Sequence, residues 1–302
     1  MKDTGLSATA EVINIVKSYG SKKVVDNVSF SVERDEIFGL IGPNGAGKTT
    51  TIRMVMDIIL PDSGSISILG EKINPDSKNK IGYLPEERGL YKKLSVLQTL
   101  TYLSALKGHP VKDSRIEELL QRVGLLPHRD KKIEELSRGM GQLIQFLVTI
   151  IHDPQLIILD EPFANLDPVN TKLLKEIIFE LRKQGKAVIL STHRMNEVEE
   201  LCDRILMIDN GHNVLYGKLA EIKKKYRNNS VLVDYEGELD KLDGVLRRRQ
   251  GEGYTELFLD NKTSPQKVLG QILEQGISIN RFEVSTPALN DIFLQVVAKD
   301  DE

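Results

Sequence analysis

The chain has 302 residues, 40% of them hydrophobic and 28% charged, enough apolar material for two modest domains or one large domain with an appendage. Its 41 basic and 44 acidic residues leave a net charge of -3, so no global field draws it to nucleic acid or anionic lipid. The single cysteine, Cys202, excludes an internal disulfide, fits a reducing compartment and reads as a small buried hydrophobe. The opening MKDTGLSATA lacks the apolar core of a signal peptide. Apolar runs such as Phe146 to Ile151 fall short of the about 20 residues a membrane span needs. A soluble chain is therefore expected, with any membrane role coming through a partner.

Residues 11–33 alternate apolar and polar side chains around a Gly-Ser turn at 20–21, the period-2 signature of an antiparallel hairpin. Three later runs are continuously apolar: Ile37 to Ile41, Leu156 to Leu159 and Ala187 to Leu190. Such runs suit parallel strands covered on both faces, and a helical pattern follows each, so the architecture reads as α/β. From about Glu86 to Ile151 the pattern is helical and poor in strands, which predicts a helical insertion. The lysine-rich segment 221–230 reads as a linker to a second unit with the alternation β-α-β-α-β-α. In that unit a short helix is expected to run to about Arg249, with Arg247 to Arg249 on its solvated surface.

Gly42-Pro43-Asn44-Gly45-Ala46-Gly47-Lys48-Thr49, followed by Thr50, fits G-x-x-x-x-G-K-[ST] between the strand at 37–41 and a helix. Glycines let the backbone curl so that successive N–H groups face phosphate oxygens at the positive end of a helix dipole. Lys48 is suited to neutralise β- and γ-phosphate charge, and the Thr49 hydroxyl to ligate Mg²⁺. The motif points to a nucleotide without naming the class of enzyme. The second anchor is the run Leu156 to Leu159 ending in Asp160 and Glu161. In a P-loop protein the first acid commonly holds Mg²⁺, and Glu161 is then placed to polarise the attacking water as a general base.

With these anchors the chain resembles the ABC-type ATPases, the nucleotide-binding subunits of ATP-binding-cassette transporters, over about residues 10–220. Tyr19 matches the aromatic that stacks on adenine. Leu136-Ser137-Arg138-Gly139-Met140 falls where the family's LSGGQ signature belongs, Asn165-Leu166-Asp167-Pro168 matches the D-loop, and His193 in STHRMNE matches the switch histidine. Glu86, in IGYLPEE, lies where the Q-loop is expected. Taken singly, Tyr19 reads as strand surface, His193 as a loop histidine and Ser137 as a helix N-cap; their order and spacing carry the inference.

The resemblance implies a P-loop NTPase (RecA-like) core with an antiparallel β subdomain and a helical insertion over about 86–151. That ATPase domain is expected to span 1–222, followed by a small C-terminal α/β domain over 229–302. It also implies two cassettes sandwiching two ATP molecules, each phosphate loop facing the other subunit's Ser137 and Gly139. Glu161 would activate water, His193 would steady the γ-phosphate, Asp167 would couple the two sites, and Thr49, Asp160 and Glu86 would hold Mg²⁺. The implied partners are a second ATP-binding subunit, identical or paralogous, and transmembrane permease subunits, with the chain peripheral at the cytoplasmic face of the membrane. The insertion near 86–115 would form the docking surface.

Two positions depart from the family pattern. Arg138 and Met140 replace a glycine and the glutamine of the signature, while Ser137 and Gly139, the groups aimed at phosphate, are kept. Glu86 replaces the Q-loop glutamine; it still offers oxygen to a metal but adds negative charge, and its neighbours Glu87 and Arg88 read as surface or partner contacts. The alternative is a non-transport ABC ATPase acting on nucleic acid or ribosomes. One cassette, no room for a long coiled coil between Gly42 and Ser137, and a single cysteine all weigh against it. NKIG at 79–82 fails the guanine-specifying N-K-x-D pattern. The C-terminal unit, ending in STPALNDIFLQVV, resembles the accessory domain of bacterial ATPase subunits paired with exporter-type permeases for drugs, peptides or sodium, and suits a dimerisation or regulatory module.

Overall fold

The computed structural model describes residues 8–87, 89–226, 229–251 and 253–300. The signal-peptide reading rests on residues 1–7, which, like Arg88, lie outside the described residues. The chain divides into two units, 1–219 and 220–302.

The alternating segments form β1 (Ala10–Tyr19) and β2 (Lys22–Val32), paired antiparallel around a turn where Gly20 takes a φ of 60°. β3 (Ile37–Ile41) follows, then α1 (Lys48–Val55). β4 (Ser63–Ile68) returns beside β1, and β5 (Glu71–Lys72) completes a sheet of order β2-β1-β4-β5. α2 (Pro75–Asn79) leads to β6 (Ile81–Leu84). Three helices of the expected insertion come next: α3 (Val96–Leu106), α4 (Asp113–Arg122) and α5 (Arg138–Ile150). The chain then alternates through β7 (Leu156–Asp160), α6 (Pro168–Lys183), β8 (Ala187–Thr192), α7 (Met195–Leu201), β9 (Arg204–Asp209) and β10 (His212–Lys218).

The second sheet has the order β10-β9-β3-β8-β7-β6 and is parallel except for β10. Every residue of β3, β7 and β8 is buried, which is why those segments read as unbroken apolar runs. The Phe30 and Phe38 rings stack at 5.2 Å, joining the antiparallel layer to the parallel one in a single core. The carboxyl ends of β3, β7 and β8 therefore point into the loops that follow them, where open α/β sheets hold ligands. No helix among the described residues is long and apolar enough to cross a membrane.

The second unit departs from the expected pattern twice. The segment read as a linker is helical through Lys225, as α8 (Leu219–Lys225). After β11 (Ser230–Glu236), the segment expected as a helix to Arg249 is instead β12 (Val245–Gly251), hairpinned to β13 (Tyr254–Leu259). Cross-strand pairing overrides the local helical composition. The Arg247 guanidinium lies 4.0 Å over the Phe258 ring, and Arg249 pairs with the buried Glu256 at 2.6 Å. Arg248 donates to the Leu239 carbonyl at 2.7 Å, and the three arginines are exposed as expected, on a strand rather than on a helix. α9 (Pro265–Glu274), β14 (Ser278–Val284) and α10 (Leu289–Asp300) complete a β-β-β-α-β-α unit with sheet order β12-β13-β11-β14.

α5 is fitted against β6 at Gly82, where a Cβ would stand 2.2 Å from the Thr149 carbonyl oxygen. Gly82→Ala must separate helix from strand, an overpacking penalty of about 1–3 kcal/mol. We expect calorimetry to show the first unit's melting midpoint falling by roughly 2–4 °C per kcal/mol.

Candidate functional site

The 42–50 loop leaves β3 through a backbone that only glycine fits. Gly42 has a φ of 147° and a Cβ there would stand 2.0 Å from the Ile208 carbonyl; Gly47, at 109°, would meet the Val24 carbonyl at 2.6 Å. Lys48, 7% exposed, folds back over the loop and donates to the carbonyls of Gly42 at 2.8 Å and Pro43 at 3.0 Å. Burial lowers its pKa from the usual lysine range, against the opposing pull of Glu161, Asp160 and Glu86. The Thr49 hydroxyl donates to Asp160 Oδ2 at 3.3 Å. Asp160 is 2% exposed at the end of β7; burial raises its pKa, and Glu86 and Glu161 raise it further.

These groups line one cleft of about 280 Å³, with Asn44, Gly45, Gly47 and Thr50 on its loop side and Glu86, Asp160 and Glu161 opposite. Val24 of β2 also lines it, a contact no sequence pattern announces. Thr49, Asp160 and Glu86 offer oxygen donors only, a set that fits a small hard cation keeping several waters and binding through one or two carboxylates.

Glu161 has a left-handed backbone, φ 49°, uncommon for a residue with a Cβ. Its amide donates to the Ser191 carbonyl at 2.9 Å, and its carboxylate accepts from the His193 amide at 3.1 Å. His193 Nδ1 stands 2.7 Å from the same carboxylate oxygen, and the Thr192 hydroxyl donates to the other at 3.2 Å. The end of β8 therefore grips the end of β7 and sets His193 against Glu161.

Of the expected residues, His193, the loop residues Gly42, Pro43 and Ala46, and Tyr19, Ser137, Gly139 and Asp167 are not among those lining this cleft. Tyr19 is exposed at the end of β1, with Lys17 Nζ 5.9 Å from its ring centroid. Ser137 caps α5, accepting from the Met140 amide at 3.2 Å, and lines a different hollow with Leu136 and Gly141. Gly139 abuts the 165–167 segment: a Cβ would stand 3.2 Å from the Asn165 carbonyl. Asp167 caps α6, accepting from the Asn170 amide at 2.9 Å and its side-chain amide at 2.6 Å, and these bonds lower its pKa. Sequence reading also missed two buried amides of α5. Gln142 donates to the Pro162 carbonyl at 3.1 Å, and Gln145 to the carbonyls of Pro85 and Glu87 at 3.2 and 3.3 Å. They tie the helix that carries Ser137 to the segments on either side of the acids.

Residues 25–164 match the family model for ABC transporters, and residues 217–297 match that for the C-terminal domain of DrrA1-3-like ATP-binding proteins. The ABC transporter ATP-binding protein YhaQ of Bacillus subtilis (strain 168), itself uncharacterized, is 40% identical over 290 residues, 94% of this chain and 97% of that one. The chain belongs to the ATP-binding proteins of ABC transporters. The Nod factor export ATP-binding protein I of Mesorhizobium japonicum is 32% identical over 307 residues, covering 99% of this chain and 90% of the relative. A solved ATP-binding subunit of an ABC transporter superposes with a TM-score of 0.67 at 31% identity, over 72% of this chain and 93% of that one. The fold is accordingly that of a P-loop ABC ATPase, and the protein binds and hydrolyses ATP to power an ABC transporter.

In this ABC ATPase burial first, and then the charges of Glu86 and Glu161, disfavour the ionised form of Asp160. Asp160→Asn removes that charge while leaving an oxygen for Thr49. We expect its nucleotide-free melting midpoint at pH 7 to exceed wild type by roughly 2–4 °C per kcal/mol of desolvation and repulsion relieved. Because the folded-state pKa is raised, wild-type Asp160 takes up its proton as pH falls through that value, so the difference should shrink toward pH 4.

Proposed function

We propose that the chain drives an exporter-type ABC transporter, as two cassettes, identical or paralogous, docked on transmembrane permease subunits at the cytoplasmic face of the membrane. The observation that carries this reading is a division of labour within the first unit. Lys48, Asp160 and Glu161 share one cleft, whereas Ser137 and Gly139, at the N-terminus of α5, stand outside its lining. A helix N-terminus whose cap hydroxyl keeps a proton to donate suits an anion, and a second chain's γ-phosphate is the anion it fits.

In the proposed dimer the 42–50 loop cradles the phosphates, with Gly42, Pro43, Asn44, Gly45, Ala46, Gly47 and Thr50 shaping it and Lys48 neutralising β- and γ-phosphate charge. Tyr19 stacks on the adenine ring. Thr49, Asp160 and Glu86 would hold Mg²⁺, which when bound supplies charge neutralisation across the β- and γ-oxygens. Glu161 accepts the proton of the attacking water, and His193, 2.7 Å away, orients the carboxylate and steadies the γ-phosphate. Asp167, beside the Asn165 segment that Gly139 abuts, couples the two sites. Export is favoured by the likeness to the Nod factor export protein. Tyr91 and Tyr102, exposed and edge to face at 5.8 Å in the helical insertion, suit the docking surface for a permease.

Glu161→Gln is expected to bind ATP as wild type does, to elute as an ATP-dependent dimer in size-exclusion chromatography, and to lose on the order of 100-fold or more in turnover. Undiminished hydrolysis by this variant would overturn the assignment of Glu161. Purified from its native membrane, the wild-type chain should bring a multi-spanning membrane protein with it. A native chain that purifies alone, with an ATPase rate indifferent to added membranes, would sink the transport reading.

A further inference from the structure

Behind Glu161 lies a second buried acid that the proposed chemistry does not use. Glu197, on α7, is 3% exposed, although leaving an isolated carboxylate out of water is costly. The Arg194 guanidinium lies 3.1 Å from its carboxylate and the Thr192 hydroxyl 3.4 Å. The same hydroxyl lies 3.2 Å from Glu161 Oε2 and accepts the Arg194 amide at 3.1 Å. One hydroxyl with a single proton thus stands between two carboxylates, with its acceptor side already engaged by the backbone.

We propose that Glu197 is a positioning residue for ATP hydrolysis, acting through Thr192 to fix the Glu161 carboxylate; this rests on the reading of Glu161 as general base. The left-handed backbone of Glu161 persists only where its surroundings over-determine it. His193 holds one carboxylate oxygen and Thr192 the other, so the plane of the carboxylate is set by two donors from the end of β8. Thr192 in turn accepts the Arg194 amide, and because its one proton goes to Glu161, Glu197 acts on it by pairing with the Arg194 guanidinium and so fixing the turn at 192–194. Lys175 of α6 adds its positive charge to the same side of Glu197. A general base must meet its water within a few tenths of an ångström, and small misplacements cost on the order of 100-fold in rate. A chain of this kind supplies that precision without touching the nucleotide.

The test uses the full chain with ATP and MgCl2. Thr192→Val and Glu197→Ala should each lower kcat by about 10–100-fold while the Kd for ATP stays within about twofold. Thr192→Ser, which keeps the hydroxyl, should restore most of the lost rate. In a Glu161→Gln background, followed by single-turnover assay over hours, neither substitution should lower the residual rate further, because the group they position is gone. Thr192→Val is nearly isosteric, so it reads the network even if Glu197→Ala fails to fold. A Glu197→Ala or Thr192→Val enzyme within about twofold of wild-type kcat would overturn the proposal, as would a loss retained in full on Glu161→Gln. Full turnover by Glu161→Gln itself would bring down the general-base reading and this proposal together, whereas its loss with an active Thr192→Val would bring down this proposal alone.

Discussion

One cation against three carboxylates, at the ends of buried strands, is the arrangement on which the rest of the first unit depends. Lys48 feels Glu161, Asp160 and Glu86 in a cleft whose floor is almost closed to water. Such a cluster survives only if each member is held so that neither its neighbours nor the backbone can relax away from it. The carbonyls of Gly42 and Pro43 hold Lys48, Thr49 holds Asp160, and the end of β8 holds Glu161. The parallel sheet makes this possible, because β3, β7 and β8 lie side by side and end together.

The same logic explains why α5 is packed so closely. A helix that presents Ser137 at its start and lodges its Thr149 carbonyl against Gly82 near its end cannot shift without moving β6. Gln142 and Gln145, both nearly fully buried, carry that rigidity to the segments after β7 and β6, the ones bearing Glu161 and Glu86. A buried amide without its partner would be costly, so these bonds also fix the register of the helix. The proposed second-chain phosphate site and the hydrolytic cleft are thereby joined through a few hydrogen bonds rather than through a flexible loop.

What was legible in the sequence was what is local. The 42–50 loop announces itself because its glycines, lysine and threonine must be adjacent to do their work, and Asp160 and Glu161 because they end an apolar strand. Ser137 and His193 became legible only through the order of several motifs. Gln142, Gln145, Thr192 and Glu197 were not legible at all, since their roles are contacts across the fold; buried acids and amides on helices look like any polar helix position until the partner is placed. β12 was misread for a related reason. Val245 to Gln250 has the composition of a helix end, and only the pairing of Arg247 with Phe258 and of Arg249 with Glu256 makes it a strand. The glycines at 251 and 253, flanking a single residue, were the one available sign of a hairpin.

Glu86 takes on its meaning from this electrostatic setting. With a glutamine there, Lys48 would face two carboxylates; with glutamate it faces three, and the cleft carries a net negative excess. A nucleotide brings several more negative charges, so on the proposed reading its entry without a divalent cation is opposed by Glu86 as well as by Asp160. The substitution therefore need not impair the site. On the proposed reading it would shift the balance toward metal-bound nucleotide, because the extra carboxylate repels the free phosphate chain yet attracts the ion that accompanies it. On that reading the oxygen that a glutamine would offer to the metal is retained, and the charge added to it would strengthen the contact.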